Sequence, residues 1–310
     1  MRTPTDLNAL NLLYREAAAA TAAGSKSFYF ATRFFPPELA RSAHAVYWFC
    51  RTTDDLVDEA PSLAKGRKDL DEWEAAVRAV YRGGEPFHPV LKAFFDAVHR
   101  HQIPADYPLE LIEGVRMDLN RVRYRTFGDL RVFCYRVAST VGLMMSKVIG
   151  FKQPEWEEAG LPRAVDLGIA MQLTNILRDI GFDLRLNRIY LPADEMAQFH
   201  YGEADLRAHR NNDDFRRLME FQISRARFYY AQAEPGIALL DPQGSFAVQV
   251  ASDVYRQILT VIEQNDYDVF NRRAVVPAVQ KYWLTARSMA VPAARHSVSA
   301  VFHKLSFWKP

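Results

Sequence analysis

Cysteine is nearly absent: Cys50 and Cys134 are the only two in 310 residues. Both lie in apolar helical patterns without the paired spacing of a zinc site, which excludes a disulfide framework and a zinc module. A reducing, cytoplasmic compartment is the expectation. Long apolar runs are missing too. None reads as long enough for a membrane span, and Met1 to Asn8 lacks a basic segment leading into an apolar one, so neither a spanning helix nor a secretory leader is expected. Charge of one sign is not in excess. The 39 basic and 37 acidic residues leave a formal net charge of +2, which gives no argument for nucleic acid as a partner. Strand-like alternation is scarce, and no G-x-G-x-x-G follows a strand, so a dinucleotide fingerprint of that kind is absent.

What is present is helical. Apolar residues recur at three and four spacing almost throughout, punctuated by Pro and Gly. The spacing predicts an all-α bundle with helices near Leu7 to Ala23, Pro37 to Glu59, Leu70 to Tyr81, Pro89 to Arg100, Leu109 to Asn120, Phe127 to Ile149, Pro162 to Leu186, Asp213 to Ala233, Phe246 to Gln264 and Val276 to Met289. No linker, repeat or low-complexity stretch divides the chain, so residues 1–310 read as a single domain with a core over about 20–290. The tail, 291–310, mixes Val298, Val301, Phe302, Leu305, Phe307 and Trp308 with His296, His303, Lys304 and Lys309. That pattern suits the inner face of a membrane as well as it suits packing on the protein's own body.

Two acidic runs stand out, at Asp54 to Glu59 and at Asn175 to Asp183. Residues four apart share a helix face, so Asp54 and Asp58 project together, as do Asn175, Asp179 and Asp183. One turn at a time, the first row continues back through Arg51 to Tyr47, and the second back to Gln172 with Arg178 beside it. Like charges at this spacing repel unless something cationic sits between them. Facing carboxylate rows, each near an arginine, are what a diphosphate ester requires: Mg²⁺ bridges carboxylates to phosphate oxygens and arginine takes the remaining charge. Mn²⁺ shares that ligand chemistry. Ionising an allylic diphosphate leaves a carbocation, so the rest of such a cavity should be apolar and aromatic.

Ser25-Lys26-Ser27-Phe28, Ala45 to Arg51, Tyr135-Arg136-Val137-Ala138, Gln172 to Asp179 and Asn187 to Pro192 resemble the squalene and phytoene synthase family over about Ser25 to Pro277. Met117-Asp118-Leu119, Arg123 to Phe127 and Asn265 to Phe270 are most similar to the bacterial phytoene synthases within it. The resemblance implies the isoprenoid synthase helical bundle with a central cavity. It also implies the head-to-head joining of two prenyl diphosphates through a cyclopropyl diphosphate, most simply two geranylgeranyl diphosphates to phytoene in carotenoid synthesis. It further implies that Asp54, Asp58, Asn175, Asp179 and Asp183 hold Mg²⁺. Arg51, Lys26 and Arg178 would contact phosphate oxygens, and Ser25, Phe28, Tyr47, Gln172, Tyr190 and Tyr255 would line the channel or steer the cation. The implied partners are the prenyl diphosphates and, for the product, a downstream desaturase or cyclase.

Three departures from the family pattern are visible: Phe133 where many relatives carry tyrosine, Phe182 in place of a common glutamate, and Ser139 in place of a common glycine. Phe182 precedes Asp183 by one position and should point off the metal face. Farnesyl diphosphate going to squalene, with NADPH, or to dehydrosqualene is the alternative within the family. A helical assembly protein that kept the fold and lost the chemistry lies outside it, as does a cyclase acting on one prenyl diphosphate.

Overall fold

The computed structural model describes residues 4–119 and 122–290. Among them there is no strand, only two isolated bridges, Arg123 with Ile189 and Phe151 with Leu240. The tail whose membrane contact the sequence raises lies outside the described residues. Helices run in the order α1 (Pro4–Gly24), α2 (Lys26–Thr32), α3 (Pro37–Asp58), α4 (Leu63–Tyr81), α5 (Pro89–His101), α6 (Asp106–Met117), α7 (Phe127–Cys134), α8 (Thr140–Ile149), α9 (Glu157–Arg185), α10 (Ala193–Gln198), α11 (Glu203–Arg207), α12 (Asp213–Ile237), α13 (Pro242–Gln264) and α14 (Ala278–Ala290).

Their ends follow local rules. Pro37, Pro89 and Pro242 open α3, α5 and α13 at positions whose N–H has no helical partner. Side-chain oxygens of Ser62, Asn212 and Asp241 accept from the first turns of α4, α12 and α13. Thr126 and Asp129 form a reciprocal capping box on α7.

Two expectations need correction. Helix α9 starts at Glu157, so Pro162 lies inside it rather than opening it. Two acidic residues, Glu157 and Glu158, favour the earlier start by facing the positive end of the helix dipole. The second correction concerns Phe127–Ile149, which is long and apolar enough to cross a membrane by length and composition. With 56% of its most apolar stretch buried, the segment packs Leu130, Phe133, Cys134, Met144 and Val148 inward and sets Val137, Val141 and Met145 on a cavity wall.

Among the described residues, beside two smaller clusters, two large apolar cores hold the bundle. One gathers α3, α4, α5, α6 and α8 around Phe49, Leu70, Phe94 and Met144. The other gathers α7, α9, α12 and α13 around Leu173, Phe215, Tyr230 and Leu259. Helix α9, 29 residues and about 43 Å long at 1.5 Å per residue, packs along α12, and the Thr174 and Tyr230 hydroxyls meet at 3.0 Å between them. Between α7 and α8 the chain makes one π-helical turn, Tyr135–Ser139, a wide turn that often marks a functional site. Gly168 on α9 lies against it: a Cβ there would fall 2.4 Å from Ser139 Cα.

Candidate active site

A cavity of about 320 Å³ lies between the two cores, walled by α2, α3, the π turn with α8, α9, α12 and α13. On α9 the wall is one face read at three and four spacing: Gly160, Arg163, Ala164, Leu167, Gly168, Met171, Gln172 and Asn175. Asp54, Tyr47, Gln172, Asn175, Tyr255 and Ser25 gather toward one end of it. Phe28 joins them, its ring stacked on Tyr47 at 5.4 Å. Much of the remaining wall is aliphatic, including Val46, Val141, Met145, Ile149, Leu167, Ile237 and Leu240.

Beyond this polar end the two acidic rows come together. Burial and the neighbouring Asp58 push the Asp54 carboxyl up to about 8, with Arg51 opposing. Asp183 is raised to about 7 by burial and by Asp179. Burial would raise Asp179 as well, but hydrogen bonds from Arg178 and Arg273 hold it below the usual carboxylate range. Arg273 is bidentate on it, at 2.8 and 3.2 Å. Arg188 donates to Asp58 at 2.8 Å, and the charges of Asp118 and Asp58 raise the Arg188 pKa against its burial. Asp118, lifted to about 6 chiefly by burial, accepts from the Tyr190 hydroxyl at 3.0 Å.

Backbone geometry delivers these arginines. After α9, Asn187 takes the left-handed conformation at φ 58°, which asparagine tolerates, and Arg188 N–H returns to Asp183 O at 2.9 Å. The reversal sets Arg188 back over the acidic row. Gly181 does the same service for Arg273. A Cβ at 181 would fall 2.7 Å from Val269 O, so only glycine lets the segment before Arg273 lie on α9, where Gly181 N–H meets Val269 O at 3.3 Å.

The sequence-expected residues divide accordingly. Asp54, Tyr47, Phe28, Gln172, Asn175, Ser25 and Tyr255 line the cavity. Asp58, Asp179, Asp183 and Arg178 form the charged cluster above it. Ser25 Oγ accepts from Phe28 N at 3.3 Å as the cap of α2, so its hydroxyl has a local role. Arg51 is exposed and paired with Asp55 at 2.5 Å. Lys26 is exposed, with Lys281 near enough to feel its charge. Tyr190 is buried and stacked on Phe133 at 5.1 Å, outside the lining of this cavity, but it borders a smaller pocket with Asp183 and Arg188. Phe133 is itself buried between Tyr190 and Tyr124. Phe182 is 54% exposed, with the Arg185 guanidinium 5.3 Å over its ring.

Asp118, Arg188 and Arg273 are the site residues not assigned from sequence. The first two stood in quoted motifs, Met117-Asp118-Leu119 and Asn187 to Pro192. Arg273 gave no signal of its own.

Do these residues suit a divalent metal? Among the described residues, no three acidic, histidine or cysteine side chains converge closely enough to cage an ion unaided. Mg²⁺ seldom needs such a cage, since it is commonly held by one or two carboxylates together with substrate phosphate oxygens. The buried Asn175 Oδ1 and Asp118 Oδ1 have no hydrogen-bond partner, and Asp54 and Asp183 are crowded by like charge. Each condition is relieved by a cation with its diphosphate, so the donor set fits.

Residues 21–280 match the family model for squalene/phytoene synthase. The chain belongs to the squalene/phytoene synthase family. A phytoene synthase of Arthrospira platensis is 43% identical over 290 residues, covering 91% of this chain and 93% of that one. A 15-cis-phytoene synthase of Synechococcus elongatus is 42% identical over 283 residues, covering 89% and 92%. Among solved structures, a dehydrosqualene synthase in complex with ligand superposes with a TM-score of 0.84 at 28% identity, covering 91% of this chain and 96% of that chain. The all-α bundle and central cavity are thus those of the squalene/phytoene synthases, and the protein is a prenyltransferase.

Proposed function

We propose that this protein joins two geranylgeranyl diphosphates head to head, through a cyclopropyl diphosphate, to give phytoene. The observation that carries this reading is the polarity of the cavity, charged at one end and aliphatic along its length. On α9 the lining face runs fifteen steps from Asn175 to Gly160, about 22 Å at 1.5 Å per step. An isoprene unit adds four C–C bonds of about 1.5 Å, roughly 5 Å when extended, so four units fill that length better than three. The similarity to two phytoene synthases at above 40% identity points the same way.

In this reading Asp54, Asp58, Asn175, Asp179 and Asp183 would hold Mg²⁺, with Asp118 beside them. When bound, the metal neutralises diphosphate and makes it a better leaving group. Arg178, Arg188 and Arg273, each hydrogen-bonded to a carboxylate, would take the phosphate charge. Each C1–O bond breaks with its electron pair leaving on diphosphate. One proton is lost as the cyclopropane closes and a second as the hydrocarbon is released. Tyr47 faces the cation; burial raises its hydroxyl to about 12, so it stays a neutral phenol there.

Incubation with Mg²⁺ and either geranylgeranyl or farnesyl diphosphate, with and without NADPH, followed by mass analysis of the hydrocarbon, tests the reading. A C40 product without NADPH is expected. A C30 product from farnesyl diphosphate alone overturns the chain length, and the absence of any hydrocarbon overturns the reaction.

A further inference from the structure

Among the described residues, two charged side chains line the cavity, and they stand at opposite ends. Asp54 belongs to the diphosphate end. The other is Arg163, twelve residues before Asn175 on α9 and therefore about 18 Å down the helix axis. A cation at the apolar end of a hydrocarbon channel is a local anomaly that the chemistry at the other end does not explain.

Packing explains it. Hydrogen bonds draw the guanidinium away to Gln232 O, Gln232 Oε1 and Asp166 Oδ2, at 3.3, 3.4 and 3.4 Å. The aliphatic stem stays on the cavity wall, as long basic side chains do when their heads reach water. The stem is pinned from behind by Gly236 on α12: a Cβ there would fall 2.2 Å from Arg163 Cβ and 2.9 Å from its Cγ. Around it the wall is made of small groups, Gly160, Ala164, Ala233 and Gly236. Arg163 is thus a long, charged side chain set among these small residues, with the aliphatic Leu167, Ile237 and Leu240 on the same wall. We propose that the methylene stem of Arg163, seated on Gly236, is the chain-length stop of this enzyme, leaving room for four isoprene units and turning away a fifth.

The proposal rests on the phytoene-forming reading for the number four, but not for the existence of the stop. Its test uses the full-length protein as wild type, Arg163→Ala and Arg163→Met, each first shown to be folded by thermal unfolding. All-trans C15, C20 and C25 prenyl diphosphates are compared by initial rate with Mg²⁺. Their thiolodiphosphate analogues are compared by binding calorimetry, which needs no turnover. Wild type should discriminate against C25 relative to C20 by about tenfold or more, the scale set by misfit of a few methylenes. Arg163→Ala should abolish most of that discrimination, whereas Arg163→Met, which keeps the stem and drops the charge, should preserve it. An unchanged C25/C20 ratio in Arg163→Ala overturns the stop, and so does an Arg163→Met that behaves like Arg163→Ala. If alanine does not fold, Arg163→Val should show part of the same shift, and no shift overturns the stop. Should wild type make only C30 from C15, the phytoene reading fails separately. The stop then stands if Arg163→Ala moves the limit from C15 to C20 and falls if it does not.

Discussion

Arg188 reaches Asp58 across 130 positions of sequence, its Nη2 2.8 Å from Oδ1, and in doing so ties the end of the first acidic row to the loop that follows the second. The contact is more than a surface ion pair, because Arg188 also faces the buried Asp118 and offsets the charge of Asp183. An arginine thus stands among carboxylates that a divalent ion would also neutralise.

Arg188→Ala removes that cation from among Asp58, Asp118 and Asp183. Loss of a fixed positive charge beside a leaving diphosphate is expected to lower turnover by about 10² or more. Thermal unfolding should also fall, because the carboxylates are left unpaired, and Mg²⁺ with inorganic diphosphate should restore more stability to the variant than to wild type. An Arg188→Ala protein with wild-type turnover would remove Arg188 from the site.

Asp54→Asn and Asp179→Asn should each reduce turnover by orders of magnitude with helicity unchanged. They should differ in stability. Near neutral pH Asp54 holds in the fold a proton that the unfolded chain releases, so its neutral isostere removes that cost and, in the absence of metal, the variant should unfold at a higher temperature than wild type. Asp179 is held by Arg178 and Arg273, so Asp179→Asn leaves two guanidinium groups short of a partner and should unfold lower. Circular dichroism melts of the two variants in EDTA decide the point.

How much of this was legible beforehand depends on the kind of residue. Asp54 and Asp179 could be read because carboxylates at helical spacing in an otherwise apolar helix have few structural explanations. Gln172 and Asn175 belonged to the same row, and both line the cavity. Tyr190 was legible as part of a motif but not as a core residue, since only the fold stacks it on Phe133 and turns its hydroxyl to Asp118. Arg188 and Arg273 owe their positions to the positive φ of Asn187 and to the bare Cα of Gly181. Side-chain periodicity reports neither. Arg163 was invisible for the opposite reason: a single charge on an apolar helix face looks like a solvated residue until its stem is seen on the cavity wall.

Gly168→Ala tests the close approach of α9 to the π turn. The added methyl would lie 2.4 Å from Ser139 Cα, with Ser139 N at 2.6 Å, and backbone atoms do not yield as side-chain tips do. Separation of the two elements should lower stability by about 1–3 kcal/mol and shift Val137 and Ala138 on the cavity wall. Denaturant unfolding gives the first quantity; a raised KM for the prenyl diphosphate at nearly constant kcat would report the second.

Asp54 also sets the pH dependence of the metal-free protein. Its carboxyl is raised from 3.8 to about 8 in the fold, so between those values the folded state holds a proton that the unfolded chain has released. Folding is then favoured at low pH, and this contribution is lost as pH rises toward 8. Asp183, raised from 3.8 to about 7, acts in the same sense over a window ending near 7. Solvent in the open cavity weakens both effects, so a loss of roughly 1–3 kcal/mol between pH 6 and pH 9 is expected in EDTA. Mg²⁺ with diphosphate binds the ionised carboxylates and should flatten or reverse the slope. Equilibrium unfolding across this range, with and without the two ligands, measures both slopes, and a metal-free protein that gains stability from pH 6 to pH 9 would show that the carboxylates are already neutralised by their arginines.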